Sequence, residues 1–311
     1  MNPALSVILC THNPRPDYLS RTLDALKRQS LAVEQWELLL IDNASRDRLE
    51  PGLLAWHPHG RVLHEAELGL TPARLRGIAE ATADLLVWVD DDNLLAPDYL
   101  AEAERISSAW PALGAWGCGH FEPEWEAKPS ADLTPFLAYL AVHRAARDRW
   151  SNRLFDYEAT PAGAGMCVRA AIARRYASQV RDDPRRKLLG RTGQSLSACE
   201  DFDLAFCAID AGLGTGVFTT LRLTHLMPAG RVDPAYLERL AEGHGFASTL
   251  IHAWRGGARA PRTGLLARLR EQRFLRALSP VERRVRLALK RGETRAWRTL
   301  AEMERTLPPG S

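Results

Sequence analysis

The stretch Leu85–Asp92, LLVWVDDD, is a run of five apolar residues that passes directly into three aspartates. A short apolar run of this kind predicts a buried strand over 85–89. Three adjacent carboxylates at one strand end repel one another, so we expect a hard cation such as Mg²⁺ or Mn²⁺ to offset them. The alternative is an acidic turn before a helix, because carboxylates also favour a helix N-terminus.

The sequence before this stretch alternates between strand and helix patterns. Three further apolar runs predict strands, at Ala4–Cys10, Trp36–Ile41 and Arg61–His64. Leucines at helical spacing predict a helix over about 17–28. Thr71 and Pro72 predict an N-cap and a first-turn proline, with the helix continuing to about 81. This alternation over the first ~110 residues predicts an α/β fold with a mostly parallel sheet flanked by helices.

Polar residues follow three of these predicted strands, at Thr11–Asn13, Asp42-Asn43 and Asp90–Asn93. Parallel sheets bind ligands at the carboxyl ends of their strands, so we expect these residues to meet at one binding site. Asp42 has two interpretations from sequence. A lone strand-end aspartate is often a turn residue bonded to its own backbone, and at this edge it is equally placed to contact a nucleotide base or ribose.

The sequence beyond residue 110 is less regular. It predicts a loop or short strand at 121–125, a helix at 132–150 and a mobile polar loop at 182–197. Glu200–Ala211 predicts a helix closed by Gly212 as its C-cap. A strand over 216–223 then ends at Thr224-His225. We therefore predict one domain over residues 1–230, with halves at 1–110 and 111–230, and a separate helical region over 231–311.

Five residues in the second half are candidate functional residues. Glu200 and Asp201 begin a predicted helix, where carboxylates favour the helix dipole, and where one could also accept a proton from an attacking hydroxyl. The glycine of Gly165-Met166 makes either a turn or a close approach of backbone to a ligand. His225 is either a structural histidine or a metal or diphosphate contact.

Charge and cysteine content narrow the class of protein. The net charge of +3 does not by itself predict a nucleic-acid partner. Residues 231–311 hold 17 Lys/Arg against 8 Asp/Glu, a balance of +9, which predicts a helical appendage with solvated arginines or a contact with anionic lipid at the inner face of a membrane. Five cysteines without a C-x-x-C pair predict reduced thiols and a cytoplasmic protein. No signal peptide and no apolar run of ~20 residues is visible.

Six segments resemble glycosyltransferase family 2, which has the GT-A fold. They follow the family's order across residues 4–225 and read SVILCTHNPRPDYLSRTLDAL, LLLIDNAS, GLTPARLRGI, LLVWVDDDN, GAGMCVR and CEDFDLAFCAIDAG. The resemblance places Thr11 and Asn13 beside the nucleotide and implies that Asp42 bonds the base. Arg74 matches an arginine near the base and ribose, although Leu75 stands where the family usually has asparagine.

The same resemblance implies roles for the remaining candidates. Asp90 and Asp91 belong to a D-x-D motif on the donor side, and Asp92 would bind Mn²⁺ or Mg²⁺. Asp201 matches the catalytic base. The resemblance also places Gly165, Met166 and Glu200 on the acceptor side. It implies that His225 contacts a phosphate or the metal.

The implied activity is inverting transfer of a sugar from a UDP-, GDP- or dTDP-sugar to a hydroxyl of a saccharide or lipid-linked acceptor, as in cell-surface polysaccharide or glycoconjugate synthesis. No Q-x-x-R-W motif follows the E-D pair, which argues against a processive synthase. A sugar nucleotidyltransferase would begin with a glycine-rich phosphate loop, and the first loop here, THNPRPD, lacks glycine. A dehalogenase-like phosphatase would carry its nucleophile strand first. A non-catalytic sugar-binding relative remains open, since fold does not fix function.

Overall fold

The chain divides into two compact units. The structure, a computed structural model, describes residues 3–193, 195–256 and 264–306. Unit 1 comprises Met1–Trp125, Ala141–Lys187 and Glu200–Met227, and unit 2 comprises Glu126–Leu140, Leu188–Cys199 and Pro228–Ser311. The domain boundary that we place at residue 230 stays a prediction.

Unit 1 is built on one sheet, to which the described residues contribute nine strands. The strands are β1 Leu5–Thr11, β2 Trp36–Asn43, β3 Gly60–Glu65, β4 Leu85–Asp90, β5 Asn93–Leu95, β6 Leu113–Trp125, β7 Arg149–Ser151, β8 Cys167–Arg169 and β9 Gly214–Met227. Their order is β3-β2-β1-β4-β8-β6-β9-β5, with β7 beside β9. The run β3-β2-β1-β4 is parallel, as predicted, and so is the pair β6–β9. Strands β5, β7 and β8 pair antiparallel with their neighbours.

Five helices accompany this sheet: α1 Pro16–Lys27, α2 Leu70–Glu80, α3 Tyr99–Ala109, α4 Ala170–Asp182 and α5 Glu200–Asp210. Alternate residues of the central strands enter two different apolar clusters. In β4, Val87 and Val89 join the cluster that contains α1 and α3, whereas Leu86 and Trp88 join the cluster that contains α2 and α4. Because both faces are covered, the parallel strands are continuously apolar in sequence.

The start of α2 differs from the prediction. Its N-cap is Gly69, whose φ of 144° is a conformation that L side chains rarely adopt, rather than Thr71, which lies inside the helix. The Asn43 side chain explains this arrangement, because its Oδ1 accepts the Gly69 N–H at 2.8 Å. Asn43 therefore ties the end of β2 to the beginning of α2.

The predicted helix over 132–150 is wrong. Ala131–Leu140 forms a 3-10 helix that contains Pro135, and Arg149–Ser151 forms the edge strand β7. Proline lacks the N–H that an α-helix interior needs, which favours the shorter element. Residues 121–125 are the end of the 13-residue strand β6, and Gly212, with φ of 78°, follows α5 as the predicted C-cap. Pro184–Leu189, inside the predicted loop 182–197, is a 3-10 helix, and the mobility of that loop stays a prediction.

Unit 2 is helical, as predicted for the C-terminal appendage. Its long elements are α6 Pro234–Gly256, α7 Leu265–Ala277 and α8 Pro280–Thr306, and the predicted break at 256–264 lies mostly outside the described residues. Helices α6 and α8 approach closely at glycines: a Cβ on Gly245 would lie 2.3 Å from the Leu289 carbonyl oxygen, and one on Gly292 would lie 2.0 Å from that of Glu242.

The cysteines and the helix lengths bear on the predictions from composition. All five cysteines are free and buried. Among the helices that the structure describes, none combines the length and the apolar character required to span a bilayer.

Candidate active site

The register of the parallel strands brings the predicted site residues of the first half to one edge of the sheet. Thr11 lies opposite Asp42 in the β1–β2 pair, and Cys10 lies opposite Asp90 in the β1–β4 pair. The loops after β1, β2 and β4 therefore leave the sheet side by side. This is the edge at which open parallel sheets bind ligands.

Asp42 builds the loop that follows β2. Its side chain is buried, and its two carboxylate oxygens accept the backbone N–H groups of Ser45 at 3.3 Å and Leu49 at 3.1 Å. Burial alone raises the pKa of Asp42, but these hydrogen bonds and the nearby His64 outweigh it, so the pKa lies below its ordinary value. Asp42 is therefore an anion fixed by its own loop, and its predicted contact with a base stays a prediction.

Asn13 connects the loop after β1 to the loop after β2. Its φ of 48° is in the left-handed region, which asparagine tolerates better than most residues. Its backbone N–H donates to the Ser45 hydroxyl at 2.9 Å, and its Oδ1 accepts the Arg46 N–H at 2.9 Å. These bonds give Asn13 a clear structural role at the predicted nucleotide edge.

The three aspartates after β4 diverge, and each has its own polar neighbours. The Asp90 carboxylate lies 4.0 Å from the Arg74 guanidinium, and the Asp91 carboxylate accepts the Thr11 hydroxyl. Asp92 is buried and accepts the Asn93 side-chain amide at 2.9 Å. Local hydrogen bonds and a nearby cation thus offset part of the mutual repulsion that the sequence implied.

Arg74 is the buried cation of the site. The residue is 4% exposed, and its Nη1 donates to Oε1 of the equally buried Glu200 at 3.1 Å. Burial lowers the pKa of Arg74, but the charges of Glu200, Asp90 and Asp201 outweigh it, and the pKa lies above its ordinary value. The guanidinium therefore stays charged and joins the aspartate loop to the beginning of α5.

Asp201 is held by two backbone donors. Its Oδ2 accepts the Gly163 N–H at 2.8 Å, and its Oδ1 accepts its neighbour Phe202's N–H at 2.8 Å. A Cβ on Gly163 would lie 2.5 Å from Arg74 Nη2 and 3.2 Å from Asp201 Cβ. Only a glycine therefore fits between the guanidinium and the carboxylate without a shift of one of them.

Gly165 and Met166 differ in what they offer to a ligand. Gly165 has φ of 72°, and its carbonyl oxygen accepts the Tyr99 hydroxyl at 2.6 Å. The Met166 side chain is fully buried in the apolar cluster that contains α2 and α4. Any contact of Met166 with an acceptor would therefore involve its backbone.

Asp92 and His225 form the part of the site that best fits a metal ion. His225 pairs with Asn93 across the β5–β9 ladder, and its Nε2 lies 3.4 Å from Asp92 Oδ2. Its buried Nδ1 has no hydrogen-bond partner among the described residues. Within the same residues, no three His, Cys, Asp or Glu side chains group closely enough to hold an ion by themselves. The Asp92 carboxylate fits a cation such as Mg²⁺, which usually takes one or two carboxylates and completes its shell with substrate phosphates and water.

The structure thus brings most predicted residues to one side of unit 1. It also gives a role to three residues for which the sequence predicted no individual role: Asn43, Tyr99 and Gly163. Asn43 is one of the strand-end polar residues expected at the site, and Gly163 is the first residue of the segment GAGMCVR, so both were already marked in the sequence. Nothing in the sequence linked Tyr99 to Gly165, which is 66 residues away.

Part of the chain is similar to known glycosyltransferases. Residues 6–110 match the model described as glycosyl transferase family 2. The validoxylamine A glucosyltransferase of Streptomyces hygroscopicus subsp. jinggangensis is 33% identical over 114 residues, covering 35% of this chain and 26% of that protein. The N-acetylglucosaminyl-diphospho-decaprenol L-rhamnosyltransferase of Mycobacterium tuberculosis is 32% identical over 163 residues, covering 48% of this chain and 52% of that protein.

Solved structures agree on the fold. The mannosyltransferase of Pyrobaculum calidifontis, solved with GDP-mannose and Mn²⁺, superimposes with a TM-score of 0.54 at 20% identity, covering 99% of this chain and 77% of that one. Among the first curated relatives, the chain spans between 18% and 52% of the other protein's length. The family match over residues 6–110 and these relatives support a family 2 glycosyltransferase, and the shared α/β architecture is the GT-A fold.

Proposed function

We propose that this chain transfers a sugar from a nucleotide-diphosphate sugar to an acceptor hydroxyl, with inversion at the anomeric carbon. One observation carries the proposal: the buried Arg74 guanidinium contacts Glu200 at 3.1 Å and lies 4.0 Å from Asp90. It therefore joins the aspartate motif to the helix that begins with the predicted base, although these segments are 110 residues apart in sequence. The residues proposed to bind the donor and the helix that carries the proposed base therefore share one charged cluster.

Asp201 is the catalytic base in this proposal. Two N–H donors fix its carboxylate, and a fixed carboxylate can accept the proton of an acceptor hydroxyl. The hydroxyl oxygen then forms a bond to the anomeric carbon from the face opposite the nucleotide. The bond from that carbon to the diphosphate oxygen breaks, and the configuration inverts.

The other predicted residues surround the donor. Thr11, Asn13, Asp42 and Arg74 lie at the edge proposed for the nucleotide, together with Asp90 and Asp91. Asp92 and His225 would hold Mn²⁺ or Mg²⁺, which supplies Lewis-acid stabilisation of negative charge on a departing diphosphate. Gly165, Met166 and Glu200 stay assigned to the acceptor side.

The relatives support classes of donor and acceptor. The Pyrobaculum mannosyltransferase structure contains GDP-mannose and Mn²⁺, and the mycobacterial relative is named for a diphospho-decaprenol acceptor. We therefore propose a UDP-, GDP- or dTDP-sugar as donor and a saccharide or lipid-linked acceptor, in cell-surface polysaccharide or glycoconjugate synthesis. We also propose that 1–230 is the catalytic domain, and that the protein works in the cytoplasm with residues 231–311 in peripheral contact with the membrane.

A thermal-shift panel tests the donor half of the proposal. UDP, GDP and dTDP are each added with Mn²⁺, Mg²⁺ or EDTA. A nucleotide at about 100 times its Kd adds about 2.7 kcal/mol to the free energy of unfolding, which raises Tm measurably. We expect one nucleotide to raise Tm more with a cation than with EDTA, and Asp92→Asn to remove that difference. If none of the three nucleotides raises Tm, the proposal is contradicted.

A second assay tests the base. With the donor identified, transfer to saccharide and lipid-linked acceptors is measured, and the anomeric configuration of the product is read by NMR. In Asp201→Asn, the nucleotide should still raise Tm, but turnover should be lost. Asp182→Asn, which changes an exposed aspartate, is the matched control and should keep both. Full turnover in Asp201→Asn would remove the assigned base, and a retained anomeric configuration would exclude inversion. Nucleotide binding without turnover on any acceptor would favour a non-catalytic relative.

A further inference from the structure

Helix α7 exposes large apolar side chains close together. Leu266 is 73% exposed, Leu269 is 53% exposed and Phe274 is 54% exposed. Single exposed apolar residues are ordinary on protein surfaces, but a contiguous apolar patch marks an interaction site. These three residues lie within nine positions of one helix. They therefore indicate an interaction site more strongly than isolated exposed leucines would.

These residues share one face of α7 with two arginines. Leu266, Leu269, Arg270, Arg273 and Phe274 follow the spacing i, i+3, i+4, i+7 and i+8, which defines a single helical face. All five are exposed. We call these five residues the α7 face. It therefore combines apolar groups and positive charge instead of separating them on opposite sides.

The arginines of the α7 face also differ from those of α8. In α8, Arg284 pairs with Glu238, and Arg291 and Arg295 pair with Glu242. Within the part of the chain that the structure describes, Arg270 and Arg273 have no acidic partner. Their charge is therefore available to an anionic partner, in a region whose overall charge balance is already positive.

We propose that the α7 face docks on an anionic lipid surface. Leucine and phenylalanine enter the boundary between headgroups and acyl chains, which is how amphipathic helices with basic residues bind membranes. The arginine stems lie along that boundary while the guanidinium groups reach lipid phosphates. A second copy of this chain fits less well, because pairing two such faces would bring like charges together. The inference rests on unit 2 alone and does not require the activity proposed above.

Vesicle flotation of the full chain tests this surface. We compare phosphatidylcholine vesicles with vesicles that also contain phosphatidylglycerol, and expect flotation only with the anionic ones. Each basic residue near an anionic surface contributes about fivefold in partitioning, so Arg270→Gln/Arg273→Gln should weaken binding about 30-fold. Arg174→Gln/Arg175→Gln, which removes two exposed charges from α4, is the matched control and should float like the wild type.

A second variant tests the apolar contribution. Leu266→Ser/Leu269→Ser/Phe274→Ser should abolish flotation while circular dichroism shows unchanged helix content. Several results would overturn the inference: no flotation of the wild type, equal flotation on neutral vesicles, or an equal loss in the α4 control. Light scattering that shows a dimer converted to a monomer by the triple variant would assign the α7 face to a second copy instead.

Discussion

Replacing Gly163 with alanine is the sharpest test of the site. The added Cβ would lie 2.5 Å from Arg74 Nη2, about 0.9 Å closer than an ordinary contact of ~3.4 Å. Arg74 is buried and bound to Glu200, so the guanidinium has little room to withdraw. The loop that carries Gly163 must therefore move, and its N–H moves away from Asp201.

The size of the effect follows from that displacement. A misplacement of about 1 Å at a reacting group can cost about 100-fold in rate, which is about 2.7 kcal/mol in activation free energy. Overpacking of a filled interior also costs about 1–3 kcal/mol of stability. We expect Gly163→Ala to lower kcat about 100-fold, to change KM less, and to lower Tm by several degrees.

The assay measures transfer with the donor identified by thermal shift, and urea unfolding separates activity from stability. Gly52→Ala is the matched control, because a Cβ there meets nothing within 4 Å. It should retain wild-type kcat and nearly wild-type stability. If Gly163→Ala also keeps wild-type kcat at unchanged stability, the contact between Gly163 and Asp201 has no part in catalysis and the assigned geometry of the base is refuted.

Three further predictions concern stability. Arg74→Met should destabilise the protein by about 3–5 kcal/mol in urea unfolding, because the buried Glu200 carboxylate loses the guanidinium that it contacts at 3.1 Å; a loss below 1 kcal/mol would contradict this. Burial lowers the pKa of His57 to about 4, below the value of about 6.5 in the unfolded chain. The contribution of neutral His57 to the free energy of unfolding is therefore complete above about pH 6.5. It falls by at most about 2 kcal/mol as the pH drops from 7 to 5, because the unfolded chain then binds the proton more readily. His57→Leu should flatten urea stability over that range. Gly292→Ala should lower Tm and cost about 1–3 kcal/mol, since its Cβ meets a backbone carbonyl, while Gly230→Ala, which meets nothing within 4 Å, should be neutral; equal Tm values would refute the close helix contact.

The first half of the fold was predictable because its signals are local. The central strands are buried on both faces, so their apolar runs stand out in sequence, and the polar residues that follow them mark the ligand edge. The errors have different causes. The helix predicted over 132–150 neglected Pro135 and contained the edge strand β7. Thr71 was predicted as N-cap in place of Gly69 because the Asn43 side chain that bonds Gly69 lies 26 residues away in sequence.

The site itself was predictable only in part. The aspartate motif and the E-D pair were visible, but their connection through Arg74 depends on contacts over 16 and 126 positions. Tertiary packing decides such contacts, and no periodicity encodes them. For the same reason the sequence could not show that Gly163 supplies the amide that holds Asp201. The bonds of Asp42 to its own loop are local, and they match one of the two interpretations that the sequence offered.

The buried arginine also has a consequence for how the protein opens. If α5 alone detached, Arg74 would keep its burial and lose Glu200, and if the loop after β4 alone detached, it would lose Asp90. Either partial opening leaves charge poorly compensated in an apolar interior, which makes it unfavourable compared with joint opening. We therefore expect the amides of α5 and of the β4 loop to exchange with deuterium as one cooperative unit, so that the proposed catalytic centre is either fully formed or fully open.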